Sequence, residues 1–171
     1  MARAAAKAPA APFDLAGALL LAIDAGERIN QYLLEHLDPA AWRAEPPGGK
    51  GRTIAAIVAH VHNVRLMWLE VVGKGVEVPP KLDREEVTIP QARKALAASH
   101  AALRTVVERA VRGDGRIPSF KPDVAGFVMY ACTHDAHHRG QIALLARCSG
   151  HPLPKDVGYG MWEWGARARE A

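Results

Sequence analysis

Cysteine is scarce in this sequence, and its scarcity excludes one class of protein. Cys132 and Cys148 are the two cysteines among 171 residues, which is too few for a disulfide framework. On one helix they would lie about 24 Å apart, so they cannot pair within it. A reducing cytoplasm is therefore the expected location.

Long apolar runs are also missing. No window approaches the roughly 18 consecutive apolar residues of a transmembrane helix, so no membrane association is expected. The first stretch, MARAAAKAPAAPFD, is rich in alanine but lacks the compact apolar segment of a signal peptide. We predict that residues 1–11 form a disordered tail and that residues 12–171 form a single domain.

Aromatic residues and dense basic blocks are scarce as well, which argues against a nucleic-acid-binding surface. Aromatics make up 6% of the chain, and its net charge of +4 is not gathered into a basic stretch with interleaved aromatics. A scattered Arg and Lys surface explains this mildly basic balance more simply. No nucleic-acid partner is therefore expected.

What the sequence does contain is helical periodicity. No segment alternates apolar and polar residues in the manner of a strand, but four segments repeat apolar residues at helical spacing. The predicted helices run from about Phe13 to Leu37, Thr53 to Val72, Pro90 to Arg112 and Pro122 to Ser149. Asp14 and Thr53 suit the starts of the first two helices, and Gly150 with Pro152 ends the fourth. These helices predict an all-α four-helix bundle.

The connection between the second and third helices is long enough for a crossover. It covers residues 73–88, and sixteen extended residues reach about 50 Å. That length would let the chain return along the second helix. A connection of this length allows the second and third helices to run parallel.

Three of the eight histidines lie in one stretch, THDAHHRGQ, at residues 133–141. A helix turns by about 100° per residue, so His134 and His138 share one face, which apolar neighbours predict to be the core face. His137 points about 100° away from His138 and is a weaker candidate. Two imidazoles at this spacing either bind one divalent metal ion or hydrogen-bond as core histidines.

A third histidine on the second helix would complete a metal site. In IVAHVHNVRLMWL, His60 and His62 differ by about 200° around the helix, so only one of them can face the core. His62 is expected beside solvent, whereas His60 lies on an apolar stripe that is expected to face the core, with Thr53, Ile57, Val64, Met67 and Val71. Burying three neutral imidazoles without partners would be costly, and a metal ion would satisfy them together.

We therefore predict a divalent metal site made by His60, His134 and His138. Three protein ligands leave an open coordination position, which is the arrangement of catalytic zinc sites. Imidazole suits Zn, Ni, Co, Cu and Fe(II), of which we favour Zn or Ni.

The remaining histidines and the cysteines are less favoured as metal ligands. His100 on the third helix is a fourth ligand, a hydrogen-bond partner of a ligand or a satisfied core histidine, and the last is favoured. His36 and His151 lie near the ends of elements and are expected at the surface. Cys132 lies on the opposite face from the histidine pair, and Cys148 lies about 15 Å along the helix from it.

The second and fourth helices resemble those of the DinB-like (DinB/YfiT) metal-dependent superfamily. The matching segments are RTIAAIVAHVHNVRLMWL, with one inward histidine, and HDAHHRGQIALLARCSG, with the pattern HxxxHRGQI. The resemblance spans residues 13–150 and implies an up-down-down-up four-helix bundle that commonly forms homodimers. It implies the same three ligands, His60, His134 and His138. It also implies chemistry in which the metal activates a low-molecular-weight thiol or water, as in S-transferases, isomerases and hydrolases.

Residues near the predicted ligands are weak candidates for a catalytic role. Gln141 lies within about 20° of the ligand stripe, where it would reach the site or cap a polar core group. Asp135 points about 100° away from His134, so a solvated position is favoured over a role beside the site. Arg139 is expected at the surface or in a dimer contact.

The C-terminal tail concentrates aromatic residues in the stretch YGMWEW. Tyr159, Met161, Trp162 and Trp164 are expected to pack over the end of the bundle, and the alternative is a lid over a substrate pocket.

Three function classes remain open at this point. The favoured class is a metal-dependent enzyme of the thiol S-transferase or hydrolase type. Its expected partner is a small-molecule substrate, and a low-molecular-weight thiol is one candidate. The second class is a non-catalytic metal-binding stress or interaction protein. The third is a structural bundle whose histidines are core residues.

Overall fold

The computed structural model describes residues 12–171, so the predicted disordered tail at residues 1–11 lies outside the described residues. The α-helices of the described range are α1 (Leu15–Glu35), α2 (Ile54–Val72), α3 (Ile89–Arg112), α4 (Val124–Cys148), α5 (Lys155–Gly160) and α6 (Trp164–Glu170). Two 3-10 helices, Pro39–Ala41 and Pro47–Gly49, lie between α1 and α2. The described residues contain no β-strand, only an isolated bridge between Arg116 and Asp123. The prediction of an all-α protein is confirmed.

Each long helix begins at a side chain that accepts a hydrogen bond from a free backbone N–H of the first turn. Asp14 accepts from the third residue of α1, and Thr53 accepts from the third residue of α2. Thr88 and Gln91 form a reciprocal capping box at α3, and Asp123 caps α4. Such caps satisfy amides that the helix itself leaves unpaired. The predicted caps at Asp14 and Thr53 are confirmed, and α3 and α4 begin within two residues of their predicted starts.

The four long helices form a closed circuit of contacts. α1 packs against α3 and α4, and α2 packs against the same two helices. Between α2 and α4, the ring of Trp68 meets that of Phe127, and the ring of His60 meets that of His138. Residues early in α2 therefore contact residues late in α4.

The connection between α2 and α3, residues 73–88, returns along α2 and is fastened to it. The Nε2 atom of His62 lies 3.0 Å from the backbone oxygen of Pro80. Asn63 donates to the backbone oxygen of Leu82 and accepts from its backbone nitrogen. The connection reaches the start of α2, where the indole of Trp42 donates to the backbone oxygen of Val87 over 2.8 Å.

Contacts between α2 and α3 follow the same order along both helices. Near the middle of both helices, Nδ1 of His62 lies 3.1 Å from Oγ of Ser99. Near their ends, Arg109 of α3 donates to the backbone oxygen of Lys74, which follows α2.

The interior of the bundle has a polar layer between two apolar clusters. One cluster lies around Leu33, Ile57 and Val58, and the other lies around Leu66, Leu103 and Phe127. At intermediate positions along the long helices lie the buried polar residues Glu27, Asn30, His62, Arg65, Ser99, Asp135 and His138. The histidine cluster described below lies at the edge of this layer.

α2 is the central helix of the core. Among the described residues it is the one helix long and apolar enough to cross a membrane, with a mean hydropathy of 1.2, but most of it is buried in the bundle. It contributes to both apolar clusters and also carries Arg65 and two histidines. Burial among the other helices accounts for its apolar character.

α5 and α6 were not expected from the periodicity of the tail, and α6 packs on α1. The guanidinium of Arg167 lies 4.0 Å from the centre of the Tyr32 ring, a cation–π contact. Arg28 of α1 donates to Glu170 over 3.0 Å. Val157 of α5 is buried.

The aromatic side chains of the tail do not pack as a group over the bundle. Trp162 is 78% exposed and Tyr159 is 64% exposed, so the favoured prediction of packing is wrong for these two rings. Trp164 is also exposed, and only Met161 of this group packs against a core cluster. The tail is anchored instead by α6 and by Val157.

Candidate metal centre

His60 of α2 and His134 and His138 of α4 come together at the interface of these two helices. One nitrogen from each ring lies within 4.8 Å of the others. The ring centroids are 4.5 Å apart for His134 and His138, 4.8 Å for His60 and His138, and 5.5 Å for His60 and His134. Two imidazole nitrogens on one tetrahedral zinc ion are roughly 3.3 Å apart. Small side-chain rotations would therefore place all three nitrogens around one ion, so the cluster could hold a metal ion.

The cluster lies at the surface-facing edge of the bundle. His138 is buried, but His60 and His134 are partly exposed. Farther along the His60 stripe, Met67 and Val71 are exposed at about half of their surface. The expectation that this stripe faces the core therefore holds at Ile57, which is buried, and is wrong at Met67 and Val71, although His60 does meet the two histidines of α4. Because α2 is apolar on nearly every side, its pattern did not reveal which face is buried deepest.

His62 is fully buried, and the prediction that it lies beside solvent is wrong. The connection formed by residues 73–88 covers the face of α2 opposite His60. The ring of His62 contacts Ser99 through Nδ1 and the backbone oxygen of Pro80 through Nε2. Burial lowers the pKa of His62, which favours a neutral imidazole.

Two of the three clustered histidines are held in the form that binds metal. Burial lowers the pKa of His60 to about 4, and the positive charge of Arg52 adds to this effect. Burial also lowers the pKa of His138, against the opposing effect of its hydrogen bond with Gln141. Both rings are neutral near pH 7, and a metal ion binds only the neutral ring.

Gln141 contacts a clustered histidine directly. Its Oε1 atom lies 2.8 Å from Nδ1 of His138. A carbonyl oxygen only accepts, so Nδ1 of His138 carries the proton and Nε2 is left for a metal ion. The amide nitrogen of Gln141 lies 3.0 Å from Nε2 of His137, which is itself exposed and outside the cluster of three. Of the two positions predicted for Gln141, the structure has the one beside the site.

Asp135 is buried, so its favoured placement in solvent is wrong. Its Oδ2 atom accepts from Arg65 over 2.6 Å and from Asn30 over 2.7 Å. Burial alone would raise the pKa of Asp135, but the charge of Arg65 and the surrounding hydrogen bonds hold it well below its usual range. The partners of Asp135 come from α1 and α2, and the pattern of α4 alone could not reveal them.

Arg139 and His100 also find partners within the bundle. Arg139 is partly buried and donates to Asn30 over 2.7 Å, so it is not the fully exposed surface residue that the sequence predicted. His100 lies 2.8 Å from the carboxylate of Asp24, between α3 and α1. It is absent from the group of three, and of its three predicted roles the structure supports that of a partly buried, satisfied histidine.

The other candidates lie away from the cluster. His36 is exposed, and His151 pairs with Asp38 over 2.8 Å at the bundle surface. Cys132 and Cys148 are free thiols, and neither belongs to the group of potential ligands. These positions agree with the sequence predictions for the four residues.

Fold and site together define a helical-bundle protein with a three-histidine cluster able to hold a metal ion. A family model described as the DinB superfamily matches residues 22–142, a range that contains His60, His134 and His138. The chain belongs to the DinB superfamily. A search of curated proteins and a search of solved structures each found no significant match.

Proposed function

We propose that this protein binds a divalent metal ion through His60, His134 and His138 and uses it to activate a thiol or a water molecule for group transfer or hydrolysis. The observation that carries the proposal is the convergence of three imidazole nitrogens within 4.8 Å from two different helices. Imidazole is a good ligand for Zn and Ni, the two ions that we favour.

An open coordination position favours an enzyme over a non-catalytic metal-binding protein. Structural zinc sites have four protein ligands, whereas catalytic sites have three and leave room for a substrate or water. His100, the candidate for a fourth ligand, pairs with Asp24 instead. The partial exposure of His60 and His134 supports access from solvent.

The protein side of the mechanism consists of holding and orienting neutral ligands. An ion at this site supplies Lewis-acid chemistry, which lowers the pKa of a thiol or of water. Imidazole ligands carry no negative charge, so a divalent ion bound by them would keep a net positive charge. Gln141 holds His138 with its Nε2 atom toward the cluster, and the packed helices α2 and α4 fix the distance between His60 and the other two rings.

Several finer features belong to the same proposal. We assign the bundle an up-down-down-up arrangement, supported by the common order of contacts along α2 and α3. We assign a homodimer, supported by the exposed apolar side chains of Met129 and Leu144 on the outer face of α4. A low-molecular-weight thiol is the favoured small-molecule substrate. Two free cysteines support a cytoplasmic location.

Metal content tests the proposal first. Elemental mass spectrometry of protein purified without a histidine tag is expected to find a stoichiometric divalent metal, and the folded His134→Ala variant is expected to lack it. A wild-type protein that is stable, metal-free and unable to take up added Zn or Ni would overturn the proposal.

Turnover is tested next with the metal-loaded protein. We expect consumption of a low-molecular-weight thiol in the presence of an electrophile, or hydrolysis of an ester, at a rate that His134→Ala abolishes. Bound metal without turnover in either assay would instead support a non-catalytic metal-binding protein.

A further inference from the structure

A buried ion-pair network lies directly behind the candidate metal centre. Arg65 of α2 contacts Glu27 of α1 over 2.8 Å and Asp135 of α4 over 2.6 Å. All three side chains are almost completely buried. Moving such charges out of water costs several kcal/mol for each ion, and apolar residues of similar shape often stabilise a core as well or better. The network therefore calls for an explanation other than stability.

The two carboxylate oxygens of Asp135 have different surroundings. Oδ2 accepts hydrogen bonds from Arg65 and Asn30. Oδ1 faces Nδ1 of His134 at 3.7 Å. This distance is longer than a hydrogen bond, and a small rotation of the His134 ring would close it. Hydrogen bonds to Oδ2 thus hold the carboxylate of Asp135, while its Oδ1 atom faces His134.

The carboxylate is held firmly because its main partner is itself fixed. Besides its two ion pairs, Arg65 donates to the backbone oxygen of Leu96 on α3 over 3.0 Å. Asn30, the second partner, accepts from Arg139 over 2.7 Å. Contacts from α1, α2 and α3 therefore determine where the carboxylate of Asp135 lies.

We propose that Asp135 is the positioning residue for His134, with Oδ1 accepting a hydrogen bond from Nδ1–H of that ring. The hydrogen bond would fix the tautomer in which Nε2 is free and would aim this nitrogen toward His60 and His138. Carboxylates that support a metal-binding histidine in this way raise its basicity and orient its ring. The inference rests on the proposed metal site, and Gln141 has the same relationship to His138 through a neutral carbonyl.

Glu27 offers a matched control for the charge and burial of Asp135. Both carboxylates contact Nη2 of Arg65, and both are buried to a similar degree. The other oxygen of Glu27 accepts from Gln31 over 2.8 Å, and Gln31 is not one of the clustered histidines. Asp135→Asn and Glu27→Gln each remove one negative charge from Arg65 and leave it one carboxylate partner.

The experiment compares wild type, Asp135→Asn and Glu27→Gln. Zinc affinity is measured by competition with a chromophoric chelator, and urea unfolding is followed in parallel. We expect Asp135→Asn to weaken zinc binding by about tenfold to a hundredfold, and Glu27→Gln to change it by less than about threefold. Equal losses in the two variants, or no loss in Asp135→Asn, would overturn the proposal in favour of a purely structural network.

A second readout does not depend on the metal. Long-range proton–nitrogen NMR of the metal-free protein reports which nitrogen of His134 carries the proton. We expect Nδ1–H in the wild type and in Glu27→Gln, and a shift toward Nε2–H in Asp135→Asn. A wild-type ring protonated at Nε2 would overturn the proposal even if Asp135→Asn does not fold. A wild type that binds no zinc but holds Nδ1–H would sink the proposed function and leave the positioning role intact.

Discussion

The ring of His60 meets the ring of His138 edge to face, with 4.8 Å between the ring centroids. This contact joins α2 to α4 and turns a pair of histidines on one helix into a cluster of three. It also places the cluster at the edge of the buried polar layer, where a ligand can approach from solvent.

Removal of His60 is expected to abolish tight metal binding without unfolding the chain. The ring is partly exposed, so His60→Ala leaves no large cavity in the core. We expect zinc affinity to fall by more than about a hundredfold, since loss of a supporting residue alone costs tenfold to a hundredfold. Isothermal titration of zinc provides the measurement. His137→Ala is the control because His137 is exposed and outside the cluster, and an equal loss in both variants would contradict the assigned ligand set.

The acid stability of the metal-free protein should reflect the lowered histidine pKa values. The folded-state pKa of His60 is about 4, below its ordinary value of 6.5. Between pH 6.5 and about 4, His60 is protonated in the unfolded chain but neutral in the folded protein. The free energy of unfolding therefore decreases as the pH falls through this range. His138 acts in the same direction. Urea unfolding at a series of pH values is expected to show this decline, and a smaller decline in His60→Ala.

Arg52 is expected to tune this titration. Its positive charge contributes to the lowered pKa of His60 and of His138. Arg52→Gln should therefore raise the pKa of both rings. NMR titration of the ring C–H resonances provides the measurement, and unchanged or lower pKa values would show that Arg52 does not act on the cluster.

His62 should matter for stability and not for metal binding. Its ring is fully buried and bonded at both nitrogens, so His62→Ala leaves a cavity and unpaired partners. We expect a loss of about 2–4 kcal/mol in the free energy of unfolding, against about 1 kcal/mol for Ser99→Ala. The folded fraction of His62→Ala should bind zinc normally. Loss of zinc from folded His62→Ala would place this histidine in the metal centre.

Gln141 should act through the hydrogen bond that it accepts from His138. Gln141→Ala removes the acceptor 2.8 Å from Nδ1 and is expected to weaken zinc binding by about tenfold. Gln141→Glu keeps an acceptor in place and is expected to restore the affinity. Equal weakening in the two variants would argue that Gln141 acts by packing and not through this hydrogen bond.

The C-terminal helices should depend on Arg167 more than on Trp162. Arg167→Ala removes the contact with Tyr32 and should cost about 1 kcal/mol of stability while exposing the tail to proteases. Trp162 is mostly exposed, so Trp162→Ala should change stability by less than about 0.5 kcal/mol. If Trp162→Ala alters substrate affinity while metal content stays normal, the lid interpretation of the aromatic tail gains support. An unchanged substrate affinity would exclude the lid interpretation.

The long helices could be predicted from the sequence because their signals are local. Apolar periodicity and capping residues predicted four long helices within a few residues of their bounds, because both act within one or two turns. The spacing of His134 and His138 placed both on one face of a helix, and the HxxxHRGQI pattern indicated the family that the match over residues 22–142 establishes.

The burial of the helix faces and the pairing of the polar groups could not be predicted, because both depend on how the helices pack together. The connection at residues 73–88 covers one face of α2, so His62 is buried although its sequence neighbours suggested solvent. Asp135 and Arg139 are paired through Asn30 of α1, a helix far from α4 in the chain. The periodicity of a sequence gives the direction in which a side chain points around the axis of its helix. Whether that side chain is buried depends on which other segments pack against that side of the helix, and those segments come together only when the whole bundle folds.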